Sequence, residues 1–466
     1  MRHSHRLNGA ILASAACLLL AARAWGVNGG ATAGAPGAQD LVTGDLADGN
    51  GSVASGGLSA AIGVNSGATG QDSTAVGGAT QATSPFSTAL GSTSDASGAY
   101  GTSTGYGSLA TRALATTNGA FSVANGLTST AMGAYANAGG DGSTAMGGNS
   151  TANGIYSTAT GGFSSAGGIS STASGTNSKA SGNLSTASGA GSTASAVQST
   201  AFGYGSTANG SYSMASGDLS LASGVSSTAM GSNTQASGQN STAVGSGSQS
   251  AGINGTAEGY LAQTGLGSNA TAVGTSSRST STNATAIGAS SQATGANATA
   301  IGTNTFAQGA NAAAVGYSAE ATQANATAIG TGAQALHANS VALGSGSATD
   351  RPNSVSVGNS GTGLSRQITN VAPGTQSSDA ATVGQLAQTT EYAQSVGAMA
   401  SAASSAGIAA AGLPGHSKVA LGVGACGSQA AVGLAYVQNF GSWGATVNGA
   451  LNGGGSQLGA GAGFSW

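Results

Sequence analysis

Charge is nearly absent from this chain. Only 5% of its 466 residues are Asp, Glu, Lys or Arg, against about a quarter in an average soluble domain. Aromatic residues make up 4%, so few bulky side chains exist to fill a large enzyme core. The five Pro exclude collagen, as does a Gly spacing that is not every third residue. Simple disorder also fits poorly, because disordered chains draw on charge and Pro. With four His and twelve acidic residues, the usual raw material of metal and acid–base sites is scarce. The abundant residue is Gly, with 84 copies, and what remains is a repetitive architecture of small residues.

The N-terminus reads as a secretory signal peptide over residues 1–24. Arg2 and Arg6 precede the apolar stretch Ala10 to Ala22, and Ala22-Arg23-Ala24 offers a small-x-small cleavage site. The apolar run is too short to span a membrane as a helix. Cleavage removes Cys17 and three Arg, which leaves Cys426 alone and no internal disulfide. The exported chain then holds 9 − 3 = 6 basic against 12 acidic residues, a net charge of 6 − 12 = −6. No basic patch remains for nucleic acid. Residues 25–44 form a Gly/Ala-rich segment.

A period of fourteen then takes over, from about residue 45 to 363. Ser73-Thr74-Ala75-Val76-Gly77 returns as Ser87-Thr88-Ala89-Leu90-Gly91, and the closing Gly falls at every fourteenth residue from 63 to 259. One extra residue shifts the frame, and a second series runs from Gly274 to Gly358, so that all 22 closing positions are Gly. A fainter coil, Ala47-Asp48-Gly49, precedes them. Seven residues before the closing Gly, a second Gly occurs in 15 of 22 coils. Ala stands two residues before the closing Gly in 19 of 22 coils, and two before the half-way position in 18. Residues two apart on a strand share a face. Each coil is thus expected to be two short strands with Ala and Gly facing a thin common interior, a parallel β-roll. Coils stacked at about 4.8 Å give a rod of roughly 105 Å.

The outward residue beside the closing Gly is apolar in 15 of 22 coils. Val76, Met132, Met146, Met230, Val244, Ile287, Ile301, Val315, Ile329 and Val357 belong to this stripe. A stripe that long cannot face water, so these residues are candidates for an interface between chains. Thr160, Ser174 and Ser188 interrupt it, and Glu258 sits in it just before the extra residue. Glu258 has two readings: a local twist turns it to solvent, or its copies meet on a symmetry axis, where like charges recruit a cation.

Other functions for the repeat are less well served. A calcium-binding β-roll needs Asp in every coil. A Ser/His catalytic site has only His337 and His416 to draw on, and the Ser are explained as turn residues. No metal, cofactor or enzymatic activity is expected. A secreted structural or ice-binding solenoid remains an alternative, with Thr74, Thr88, Thr130, Thr144 and Thr158 as a hydroxyl ladder.

After the roll the chain becomes less repetitive. Ser378 or Asp379 is suited to cap a helix, and Val383, Leu386, Ala393, Val396, Ala400 and Ala403 lie near heptad spacing. Gly407, Gly412 and Pro414 mark the end of that run. A helix this rich in Ala and Ser is marginal alone and wants partners. Four alternating stretches follow, about Lys418 to Ala425, Gln429 to Gln438, Ser442 to Leu451 and Gln457 to Trp466. The last has one face of Leu458, Ala460, Ala462, Phe464 and Trp466, and another of Gly and Ser. Strands of about ten residues with one apolar face match outer-membrane barrels, but four cannot close one, since about eight is the minimum. Three chains would supply twelve, with the Gly/Ser face leaving room for three helices inside.

This combination resembles the YadA-like trimeric autotransporter adhesins. The 14-residue coils resemble that family's head, a left-handed parallel β-roll in a trimer. Arg366, Gln367, Ile368, Asn370 and Val371, with Asp379, Val383, Gln385 and Leu386, are similar to the neck (364–387). A short helical stalk or pore helix (388–412) and a membrane anchor (413–466) follow, the latter opening on Leu413-Pro414-Gly415 and ending at Trp466. The long stalk frequent in the family is almost missing here. The resemblance implies a homotrimer and an outer-membrane location, with lipid and the barrel-assembly machinery as partners. It also implies adhesion to host matrix proteins such as collagen, through segments such as Asn339-Ser340-Val341-Ala342-Leu343-Gly344.

Overall fold

The structure, a computed structural model, describes residues 45–453 and 455–464. The expected signal peptide, the 25–44 segment and Trp466 lie outside the described residues. The chain divides at Ser365/Arg366 into two compact units.

In the first unit successive coils contribute a three-residue strand and a two-residue strand, such as Thr74–Val76 and Gln81–Ala82, until the last front strand, Val355–Ser356, which has two residues. Identical positions fourteen residues apart pair in parallel, with Thr74 opposite Thr88, Ala75 opposite Ala89 and Val76 opposite Leu90. Among the described residues the longer strands build a 23-stranded sheet, the front sheet, and the shorter ones a second sheet behind it. The middle residue of each front strand points inward, so Ala75, Ala89 and Ala131 have no exposed surface, and neither do Ala82 and Ala96 from the back sheet. The interior is so thin that the largest fully buried side chains are Thr, at positions such as Thr80, Thr117 and Thr234.

Ala shares this interior with the residue two before it, not with the Gly two after it as the period had suggested. Ser73, Ser87 and Ser129 are buried, and Ser87 and Ser129 donate their hydroxyls to the carbonyl three residues before them. Ser87 Oγ donates to Ser84 O at 2.6 Å and Ser171 Oγ to Gly168 O at 2.7 Å. The closing Gly instead turns the corner: Gly63 and Gly77 have φ of 124° and 138°, a region that L side chains avoid. A Cβ on Gly63 would also stand 2.3 Å from Gly77 O in the next coil. Two coils that lack Ala compensate with an internal network, in which Ser103 and Ser108 hydroxyls meet at 2.7 Å and Thr117 Oγ1 donates to Ser103 Oγ at 3.1 Å.

The extra residue is absorbed in the corner between Gln263–Thr264 and Thr271–Val273, where Leu266 is 86% exposed. The front sheet is undisturbed, because Glu258 pairs with Val244 on one side and Val273 on the other. The local twist considered for Glu258 is therefore absent.

The second unit begins with an extended segment and a helix, Val383–Gly412. The helix runs through Gly407 to the expected end at 412 and stops at Leu413 before Pro414. Four antiparallel strands follow in sequence order: Ser417–Cys426, Gln429–Phe440, Trp443–Asn452 and Gly455–Phe464. Phe440 extends the second strand, not the turn assigned to it from sequence. The helix buries Ser395, Ala398, Met399, Ala402, Ala406 and Ala410 against the sheet. Glycine makes this approach possible: a Cβ on Gly424 would lie 2.3 Å from Ala402 N, and one on Gly433 2.4 Å from Ala402 O.

These contacts separate two kinds of Gly. Gly245→Ala places a side chain at φ 113° and 2.6 Å from Gly259 O, and is expected to destabilise the roll by at least ~1–3 kcal/mol. Gly167→Ala, where a Cβ would meet nothing within 4 Å and φ is ordinary, should cost less than about 1 kcal/mol. Denaturant unfolding monitored by circular dichroism checks the order; equal losses would contradict it.

Candidate functional site

The front sheet exposes two parallel columns. The first residue of each strand is mostly Thr, half-buried and in register from Thr74 to Thr200. The third residue forms the apolar column, and Met132, Met146, Met230, Ile287, Ile301, Val315 and Ile329 are 36–43% exposed there. Val76 and Val244 are half-buried in the same column. Val357 differs from the expectation: the last roll strand, Val355–Ser356, ends before it. Thr160, Ser174 and Ser188 occupy the column in three successive strands, as do Thr104 and Asn118 earlier. Glu258 is exposed in line with its apolar neighbours.

Charge is distributed unequally between the two sheets. The front strands carry only Asp48 and Glu258, whereas Asp95, Lys179, Arg278 and Glu320 all lie on back strands. The back sheet is therefore the face built for water, and the front face combines methyl-rich Thr with bulky apolar side chains.

The neck residues fall into an exposed run and a clamp. Arg366, Gln367, Ile368, Asn370 and Val371 are exposed in an extended segment, with Asn370 at φ 61°. The clamp centres on Gln385, whose Oε1 accepts from Gly374 N and Thr382 N at 3.0 Å and whose Nε2 donates to Gly374 O at 2.9 Å. Thr382 Oγ1 accepts from Gln385 N at 3.2 Å, completing a capping box. The expected caps, Ser378 and Asp379, are displaced because the Asp379 carboxylate is engaged by the loop before it. It accepts from Thr375 N and Gln376 N at 2.9 Å each, and these amides, Gln376 first, hold its carboxyl below the usual Asp value. Val383 and Leu386 are 84% and 63% exposed. The helix thus keeps part of its heptad stripe free of its own sheet.

The four-stranded sheet of the second unit has one small, polar inner face and one apolar outer face. Asn448 Nδ2 donates to Ala403 O at 3.4 Å, and Asn452 Nδ2 donates to Ser395 Oγ at 2.6 Å, tying the inner face to the helix. Leu421, Val423, Leu451 and Leu458 project outward, with Leu458 82% exposed. Phe440 stacks on Trp443 with centroids 4.4 Å apart, and Trp443 pairs with Phe464 in the ladder. This gathers aromatic residues at one end of the sheet, as in the girdle of a membrane barrel. The first and fourth strands are each paired on one side only.

The model of the YadA head domain repeat matches this chain in successive windows from residues 54–80 to 338–360. The coiled stalk of trimeric autotransporter adhesin matches residues 367–409. The chain belongs to the YadA-like trimeric autotransporter adhesins. Its β-roll is the YadA-like head, and the stalk match takes in the neck clamp and most of the helix. The crystal structure of the collagen-binding domain of the Yersinia adhesin YadA is 24% identical, covering 48% of this chain and 98% of that one, with a TM-score of 0.21. No curated protein matches the chain.

Among the described residues of this YadA-like adhesin, no three His, Cys, Asp or Glu gather in a metal-holding group, and no helix is long and apolar enough to cross a membrane. Gln385 was visible in the sequence only as part of a family-like motif; its clamp role depends on a loop eleven residues away that no local pattern reveals.

The clamp predicts two measurable effects. Gln385→Ala removes the side-chain hydrogen bonds to Gly374 and Thr382 and should destabilise the neck by about 1–3 kcal/mol, seen as faster amide exchange at Gly374 and Thr382. Because the Asp379 carboxyl is held low, its contribution is present above its ordinary value of 3.8 and is lost as pH falls through its lowered value. Protection of the Thr375 and Gln376 amides, relative to their intrinsic exchange at each pH, should therefore fall only on strong acidification; a fall near neutral pH would contradict the assignment.

Proposed function

We propose that three copies of this chain form a surface adhesin, exported by the signal peptide and anchored in the outer membrane by a shared twelve-stranded barrel. The observation that carries this reading is the open four-stranded sheet, with its two half-paired edges, apolar outer face and glycine inner face. Three such sheets joined edge to edge satisfy every edge and give an even strand number. The inner faces then enclose three helices, and the exposed heptad residues Val383, Leu386, Ala393 and Ala400 supply their mutual contacts. Lipid contacts the outer face, with Leu458 in it. The barrel-assembly machinery is the partner that inserts such a sheet.

In the head the apolar column of the front sheet is the contact between chains. Val76, Met132, Met146, Met230, Val244, Ile287, Ile301, Val315 and Ile329 are covered there, and the three copies of Glu258 converge. The Thr column shares that face, so trimer formation and ice binding through it exclude each other. Val341 and Leu343 also belong to this face, which gives the segment Asn339 to Gly344 a structural reason to exist. The ligand surface is accordingly the back sheet, with its polar column of Gln235, Gln249, Gln263, Arg278 and Gln292. Host matrix proteins, collagen among them, are the ligand class.

Leu458→Arg puts a charge on the lipid face at a cost of about 2–4 kcal/mol. It should abolish surface display, read by antibody access to the head on intact cells, whereas the isosteric Leu458→Met should retain it. Normal soluble secretion after removal of residues 457–466 would overturn the anchor reading. Lys substitutions at Gln249, Gln263 and Gln292 should abolish binding to immobilised matrix proteins while display persists; unchanged binding would move the ligand site elsewhere.

A further inference from the structure

One corner of the roll changes character part-way along. At this corner, between a back strand and the next front strand, the early coils carry unrelated residues, including Asp72, Phe86, Tyr100, Leu114 and Leu184, all at positive φ. The corner therefore accepts many side chains. From Asn240 to Asn353, however, nine consecutive coils place Asn there, with φ between 54° and 58°. Each Asn Nδ2 donates to Oδ1 of the next rung at 2.8–3.1 Å, forming an exposed ladder.

Two residues after six of these Asn stands a Thr: Asn240-Ser241-Thr242, Asn254-Gly255-Thr256, Asn269-Ala270-Thr271, Asn283-Ala284-Thr285, Asn297-Ala298-Thr299 and Asn325-Ala326-Thr327. Asn-x-Thr is the acceptor triplet of N-linked glycosylation, provided the Asn reaches the surface. We propose that this ladder is an array of N-glycosylation sites along one edge of the head. In the transfer, Asn Nδ2 bonds to C1 of the sugar, the C1–O bond to the phosphate of a glycosyl-phosphate donor breaks, the phosphate leaves with the electron pair, and one proton leaves Nδ2. No oxidant is needed. A side-chain amide has two N–H donors, and the ladder uses one, so a modified rung keeps its hydrogen bond.

The burial of the triplets dictates when transfer occurs. The middle residue is inside the roll, with Ser241, Ala270, Ala284, Ala298 and Ala326 fully buried. No enzyme can grip the triplet in the rolled chain, so transfer precedes folding. Rungs about 4.8 Å apart are closer than adjacent sugars pack comfortably, so the modified chain carries fewer sugars than it has triplets.

The test uses the full chain recovered from the cells that naturally make it. Intact mass should exceed that of the processed polypeptide by whole glycosyl units, and peptide mapping should place them on the Asn of the triplets. Asn311 is an internal control: it holds the same rung, but Ala313 replaces the Thr, and it should be unmodified. Thr299→Val should free Asn297 alone of sugar, and Val fits that column because Val341 already occupies it. A mass equal to the bare polypeptide overturns the proposal. So do sugar on Asn311, sugar confined to hydroxyl groups, or unchanged modification of Asn297 in the Thr299→Val chain.

Discussion

Everything in the head follows from how thin its interior is. Two parallel sheets of two- and three-residue strands are joined by corners so tight that nothing larger than Thr is fully buried. Ala fills the space where a larger residue would force the sheets apart, and each buried methyl contributes only about 0.8 kcal/mol. Cohesion rests instead on the backbone ladder, repeated at about 2.8 Å from coil to coil, and on the stacking of each repeat on its neighbours. From Gly63 to Gly330 the closing Gly answers two demands together, positive φ and a carbonyl directly above it.

A roll with no room inside must place its larger side chains outside. Leu90, Met132, Phe202 and Ile301 occupy the front face because the interior cannot take them. The exposed apolar column is thus the necessary complement of the Ala core, and self-association is how such a face escapes water. The same logic recurs in the second unit. Gly422, Gly424 and Gly433 let an Ala-rich helix lie directly on the sheet, while Val423 and Leu458 are turned outward. In both units small residues face in and large ones face out, the reverse of an ordinary soluble domain.

Much of this was legible from periodicity alone. The fourteen-residue repeat defined the roll strands, the closing Gly and the apolar column, and alternation after it defined the last four strands, to within a few residues. What periodicity missed depends on partners it cannot see. Pairing of Ala with the preceding Ser, not the following Gly, is decided by φ at the corner. Thr382 takes the cap from Asp379 because Thr375 and Gln376 have already engaged that carboxylate. Phe440 joins a strand because Trp443 stacks on it, and the Asn ladder shows itself only when fourteen-residue neighbours are brought side by side. The family match then joined the head and stalk under one identity.

The central claim is that the exposed apolar column and the open anchor sheet are halves of contacts completed by other copies of the chain. Native mass spectrometry of the full chain released from membranes in mild detergent measures this directly. The account predicts a single species of three copies that persists on dilution. A population of single chains under those conditions, with the roll and the anchor sheet intact, would contradict it.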